Sequence, residues 1–201
     1  MDRRAFIAAG STILLANLLN PASSFGGGRQ VVRLPAPTTT GGLPLMDCLQ
    51  NRHTDRRLGS EDLPLPEISN ILWAAFGVNR EDGRHVVPTA RNQQKVAVFA
   101  VLGDGVWRYL PEQNSIEKVV DGDRRKNFDG SSLILLYAAP SSDIFGGMHV
   151  GSMYQNVGLY CASQGFPNCV KYTGHDLLDK ELPLPQGWKV LITQSVGSKI
   201  N

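Results

Sequence analysis

Apolar residues recur at helical spacing between Pro66 and Phe76. Ile68, Ile71, Leu72, Ala75 and Phe76 fall at i, i+3, i+4, i+7 and i+8, the stripe of an amphipathic helix. Pro66 suits the first turn and Gly77 the end. Val150, Met153, Tyr154, Val157, Tyr160 and Cys161 make a second stripe. They predict a helix over 150–164, closed by Gly165. Shorter helices are predicted over 44–51, where Leu45 and Leu49 share a face, and over 175–182. Val96–Leu102 and Val106–Leu110 are β-rich runs around the turn Gly103-Asp104-Gly105, which reads as a hairpin. Ile116–Val120 adds a third strand. Ser132–Ala139 is apolar throughout and stops at Pro140, as a strand buried on both faces would. Val190–Val196 is the last strand. The order of these elements predicts an α+β domain, a mainly antiparallel sheet with helices packed on it.

The N-terminus has a different pattern. Arg3 and Arg4 precede an apolar stretch from Ala5 to about Leu19, and small residues follow at 22–24. This is the layout of an export signal. Paired arginines followed by one residue and Phe6 are twin-arginine-like, a route for proteins already folded around a cofactor. Residues 1–24 are therefore expected to be an address to the periplasm; without a working signal the protein would be cytoplasmic. Gly26-Gly27-Gly28 and the Pro, Thr and Gly of 35–44 predict a flexible lead-in over 25–42. The folded domain is expected over 43–201.

The chain has 201 residues, 42% of them hydrophobic and 19% charged, which fits one globular domain with its own core. Its formal charge of +2 leaves no field for a nucleic-acid duplex. No apolar run reaches the roughly 18–20 residues of a membrane span. Three cysteines without a CxxC pair exclude a cysteine-based zinc knuckle or a disulfide scaffold. They fit small buried hydrophobes, with a pair such as Cys161 and Cys169 open if the protein is exported. His53, His85, His149 and His175 stand apart with no ligand spacing, so no metal site is expected. Walker, GxGxxG, GxSxG and HExxH motifs are all absent.

Two polar segments carry candidate chemistry. Arg52-His53-Thr54-Asp55-Arg56-Arg57 follows the first predicted helix. Guanidinium forks match phosphate oxygens, so Arg52 and Arg56 could grip one dianion with Thr54 donating a hydroxyl. A solvated basic turn is the alternative. Ala90-Arg91-Asn92-Gln93-Gln94 runs into a buried strand. Its amides offer the donors and acceptors that the edge of a heterocycle needs. A plain capped loop is the alternative.

Together these residues resemble a family. The stretches 33–37 and 41–46, the Arg52-His53-Thr54-x-Arg56 motif, Trp73-Ala74-Ala75-Phe76-Gly77-Val78-Asn79-Arg80, Pro88-x-Ala90-Arg91-Asn92 and 155–165 look like the nitroreductase superfamily. They are most similar to its SagB-type, thiazole/oxazole dehydrogenase-like subgroup. The resemblance covers about residues 31–122 and 148–198. It implies the nitroreductase fold and non-covalent FMN, in a homodimer with the flavin at the interface.

By the same resemblance Arg52, His53, Thr54 and Arg56 hold the phosphate and ribityl chain. Asn92 meets the ring, with Ala90, Arg91 and Gln94 beside it. A turn at about Val170-Lys171-Tyr172 passes the isoalloxazine, and Lys199 supplies the last basic position. The chemistry is then the flavin's, at N5, and no side chain need act as acid or base.

The implied function is an FMN-dependent oxidoreductase. NAD(P)H or another donor would reduce it, and a nitro, quinone or similar small acceptor would reoxidise it. The alternatives are a flavin-binding module without turnover and an azoline-oxidising dehydrogenase in peptide modification. Three features depart from the family pattern: the short stretch Asp123–Gly147, Tyr172-Thr173 where small residues are usual, and an end at Asn201 soon after the last strand.

Overall fold

The computed structural model describes residues 29–199; the expected export signal at 1–24 lies outside them. Seven strands form one sheet: β1 (Val31–Arg33), β2 (Ala97–Leu102), β3 (Gly105–Leu110), β4 (Ser115–Asp121), β5 (Leu133–Pro140), β6 (Asn168–Lys171) and β7 (Trp188–Val196). They lie in the order β1-β4-β3-β2-β5-β7-β6, and every neighbouring pair is antiparallel. The helices are α1 (Leu45–Asn51), α2 (Leu65–Phe76) and α3 (Ile144–Gln164). This is the α+β arrangement the sequence predicts.

The interior strand β5 shows why the sheet needs cover on both sides. Leu133, Leu135, Tyr137 and Ala139 pack with Ile71 and Leu72 of α2 and with Val150, Met153 and Val157 of α3. Ile134, Leu136 and Ala138 turn the other way, onto Phe99, Leu178 and Leu182. Alternate side chains of a strand leave on opposite faces, so a run apolar at every position is buried twice.

Four expectations about elements need correction. The lead-in is not free beyond Val31. Its strand pairs with β4, Leu34 is buried, and Ser69 Oγ and Asn114 Nδ2 donate to the Pro35 carbonyl at 2.6 and 2.8 Å. Three residues between glycine-rich and proline-rich stretches are too few to show a period.

The long helix starts at Ile144, six residues before its apolar stripe. Asp143 caps it, its carboxylate accepting from the Phe145 N–H at 2.9 Å, and such a cap satisfies an end donor. A side chain at Gly146 would press on the Pro140 carbonyl at 3.0 Å and the Ala139 methyl at 3.1 Å. That glycine is there for close approach to the sheet rather than to break the helix.

Residues 175–182 are not a helix but successive turns. Burial of Leu178 and Leu182, and the Val190 N–H donated to Asp179 at 3.1 Å, shape them to the sheet instead. Finally, residues 168–171 are the edge strand β6 and not a turn.

Candidate functional site

The chain leaves α1 at Arg52 in an extended conformation and runs beside the start of β6, where the Asp55 N–H donates to the Asn168 carbonyl at 2.9 Å. Between this segment and the end of α3 lies a cleft of about 1110 Å³. Asn51, His53, Asp55 and Arg57 line one side, and Cys161, Gly165, Phe166 and Asn168 line the other. Lys199 reaches it from beyond β7, with its ammonium over the Phe166 ring, 5.0 Å from the centroid.

The charges in and around the cleft are unequal in kind. Arg57 is neutralised locally. Its Nε and Nη2 donate to the Asp55 carboxylate at 3.1 and 2.9 Å, and its main-chain N–H adds a third bond at 2.9 Å. These bonds hold the Asp55 carboxyl at about 2. Arg52, Arg56 and Lys199 have no carboxylate partner among the described residues. His53 Nδ1 meets the Asn51 carbonyl at 2.7 Å. A carbonyl only accepts, so Nδ1 carries the proton and Nε2 is free. The stem of Arg52 crosses α3 at Gly158, where an added Cβ would stand 3.6 Å from its Cγ and Cδ. Unpaired cations, an imidazole nitrogen without a partner among the described residues and an aromatic ring suit an anionic ligand with a flat part.

Of the residues expected at the site, His53 and Lys199 line the cleft and Arg52 flanks it. Thr54 and Arg56 are exposed beside it but outside its lining. Ala90, Arg91, Asn92 and Gln94 form a separate loop. Ala90 donates its N–H to His149 Nε2 at 2.8 Å, and Gln94 donates its N–H to Thr89 Oγ1 at 3.1 Å. Arg91, Asn92 and Gln94 all have φ of +53°, a left-handed conformation that costs of order 1–3 kcal/mol for a residue with a side chain. Strain that the surroundings hold in place is a mark of functional loops. His149 sits nine residues before Gly158 on α3, about 13 Å up the helix axis, so loop and cleft occupy two levels of one helix.

The expected flavin-side turn at Val170, Lys171 and Tyr172 is a correction. Val170 and Lys171 pair with Gln194 and Thr193 in the sheet. The Lys171 ammonium is bound to the Asp129 carboxylate. Tyr172 is 70% exposed and stacks on His175 at 4.2 Å, so it crowds nothing in the cleft. The turn that does line the cleft is Gly165-Phe166-Pro167, made possible by φ of +73° at Gly165.

Sequence reasoning passed over Asp55, Phe166, Asn168 and His149. An Asp two residues before an Arg was the one visible signal, for the Asp55–Arg57 pair. All three cysteines are free buried thiols, and the described residues hold no cluster of metal-ligating side chains. None of their helices is long and apolar enough to cross a membrane.

The Asp129 cluster clamps the loop before β5 to the last two strands. Partial burial opposes ionisation of its carboxyl. Hydrogen bonds from Lys171, Ser195 and Ser131 outweigh that and lower it from 3.8 to about 2. A depressed carboxyl stabilises the fold above its unfolded value and stops doing so as pH falls through the folded one. The melting temperature of the parent should therefore drop as pH falls from 3.8 to about 2, and that of Asp129→Asn should start lower and drop less. Parallel melting curves for the two proteins would refute this.

No protein-family model matches the chain. A nitroreductase-like protein of Methanocaldococcus jannaschii is 30% identical over 149 residues, 61% of this chain and 75% of that one. The chain belongs to the nitroreductase family. A nitroreductase-like protein of Ralstonia eutropha JMP134 has the same fold, with a TM-score of 0.78 and 28% identity over 88% of this chain and 92% of that one. A chain of the E. coli microcin synthetase McbBCD complex, solved with truncated pro-MccB17 bound, matches with a TM-score of 0.64 and 20% identity over 98% of this chain and 85% of that one. A nitroreductase of Bacteroides fragilis with bound FMN matches with a TM-score of 0.54 and 14% identity over 78% and 88%. The last two likenesses show the fold alone.

Proposed function

We propose that this nitroreductase-family chain is an FMN-dependent oxidoreductase. The observation that carries the reading is the set of cations without carboxylate partners among the described residues, around a cleft of about 1110 Å³. FMN bound here would supply hydride chemistry at its N5. The chain's own groups would bind and orient it. Arg52, Arg56 and Lys199 would neutralise the phosphate, with His53 beside the ribityl chain. Phe166 would give an apolar surface, and Asn92 in its strained loop would serve the ring edge. The donor is NAD(P)H or a redox partner, and the acceptor is a nitro, quinone or similar small molecule.

A homodimer is part of this reading. Leu45, Met46 and Leu49 leave an apolar face on α1 that is 63%, 73% and 47% exposed, beside the cleft-lining Asn51. A contiguous apolar patch of this kind is the mark of an interface. Export is part of the proposal too, supported by the charged start, apolar middle and small-residue end of residues 1–24.

The SagB-type reading, an azoline dehydrogenase in peptide modification, is compatible with the microcin synthetase match, which covers 98% of this chain. Anaerobic reduction distinguishes the possibilities. FMN-loaded protein bleached with NADH, NADPH or dithionite should regain its visible band on adding a quinone or a nitroaromatic. Oxidised flavin that an azoline peptide bleaches, the peptide losing two electrons and two protons to become the azole, with reduced flavin that neither acceptor reoxidises, would favour the second reading. A flavin that no azoline peptide bleaches and that neither acceptor reoxidises would contradict both.

A further inference from the structure

One uncharged side chain on the cleft wall has its orientation fixed from inside the protein. Asn168 lines the cleft and is 8% exposed. Its Oδ1 accepts from Gln194 Nε2 at 3.1 Å. The same Nε2 donates to the Tyr154 carbonyl at 3.3 Å, and Gln194 Oε1 accepts from the Tyr137 hydroxyl at 2.7 Å. Tyr137 and Gln194 are wholly buried.

The polarity of this chain of bonds follows from one atom. The Tyr154 carbonyl is a main-chain oxygen and can only accept. It therefore requires the nitrogen end of the Gln194 amide beside it, which turns the oxygen end to Tyr137. The same nitrogen then requires the oxygen end of Asn168. Burial disfavours loss of the Tyr137 proton, so the hydroxyl remains a donor. The Asn168 Nδ2 is the end left over. It has no partner among the described residues, and it is not a buried orphan, since the buried unpartnered side-chain atoms belong to His85 and His149.

We propose that Asn168 is a ligand-reading residue of the cleft: its side-chain NH2, locked nitrogen-outward by Tyr137 and Gln194, donates to an acceptor oxygen of the bound molecule. The inference rests on the flavin reading. Under it the acceptor belongs to the phosphate arm of FMN, because Asn168 and Arg52 flank the same helical glycine. A Cβ on Gly158 would stand 3.6 Å from the Arg52 stem and 3.8 Å from Asn168 Oδ1. Tyr137 and Gln194 are positioning residues, and a buried polar chain satisfied at every member is the kind that specifies one arrangement.

Two measurements on the full chain test this. FMN titration should show affinity reduced roughly tenfold or more in Asn168→Ala, the loss of one hydrogen bond to a charged group, and reduced further in Asn168→Asp, which offers an acceptor in its place. In the unliganded parent, the Asn168 side-chain NH2 signals in the NMR spectrum should exchange with water faster than those of Gln194. They should also shift on adding FMN or inorganic phosphate. Unchanged FMN affinity in both variants would overturn the assignment and leave the flavin reading standing. A parent that takes no FMN would end the flavin reading. The phosphate titration then decides: a shift of the Asn168 signals supports the donor, and no shift overturns it.

Discussion

Arg52→Ala combined with Arg56→Ala should lose FMN on gel filtration while keeping the parent's far-ultraviolet spectrum and melting temperature. A hydrogen bond to a charged group contributes about 1.5–3 kcal/mol. Removing two such donors should weaken binding by about two to four powers of ten, at one power per 1.4 kcal/mol. Neither guanidinium has a carboxylate partner among the described residues, and both side chains are exposed, so the fold loses little with them. Arg57→Ala should behave differently, because that guanidinium is already spent on Asp55. Lys199→Ala should weaken FMN less than the double variant. Equal FMN retention in parent and double variant would return the segment to a solvated basic turn.

The second large effect concerns how the end of the chain reaches the cleft. Gly197 crosses the segment after α1 at very close range. A Cβ there would stand 2.6 Å from the Gly59 nitrogen and 2.7 Å from the Leu58 Cα. Those are backbone atoms and cannot rotate away. The crossing is pinned on all sides: Gly197 N–H donates to the Pro167 carbonyl at 3.0 Å, Ser198 N–H donates to Ser132 Oγ at 2.8 Å, and that hydroxyl donates to the Gly59 carbonyl at 3.0 Å. Gly197→Ala should therefore cost at least the 1–3 kcal/mol typical of overpacking, about 2 kcal/mol or more. It should also displace Lys199 and weaken FMN. Gly147→Ala is the opposite case. That helical glycine has nothing within 4 Å of an added Cβ, and alanine there should add about 0.5–1 kcal/mol of stability. Denaturant midpoints for the two variants on the same side of the parent would refute this contrast.

What the sequence made legible follows from locality. A run that is apolar at every position announced β5, and a 3.6-residue stripe announced α2, because each signal is complete within one element. The start of α3 was hidden because Gly146 and Gly147 look like breakers, whereas the sheet requires a small residue where the helix meets Pro140. The strand β1 was hidden because three residues show no period, and its place is fixed by β4, some eighty residues away in sequence. The site divides in the same way. Arg52 and His53 were visible as a local cluster. Lys171 lies in the stretch expected to turn past the ring, but it pairs with Thr193 in the sheet, and Asp129, a distant residue in sequence, takes its charge. Asn168 gave no sign at all, because its orientation comes from Gln194 and Tyr137 on neighbouring strands.

The central claim is that the cleft at the end of α3 binds FMN. The direct measurement is the visible spectrum of the purified full chain, followed by heat release and identification of any chromophore. A yellow protein that releases about one FMN per chain is the predicted result. A colourless protein that stays colourless after incubation with FMN would contradict it.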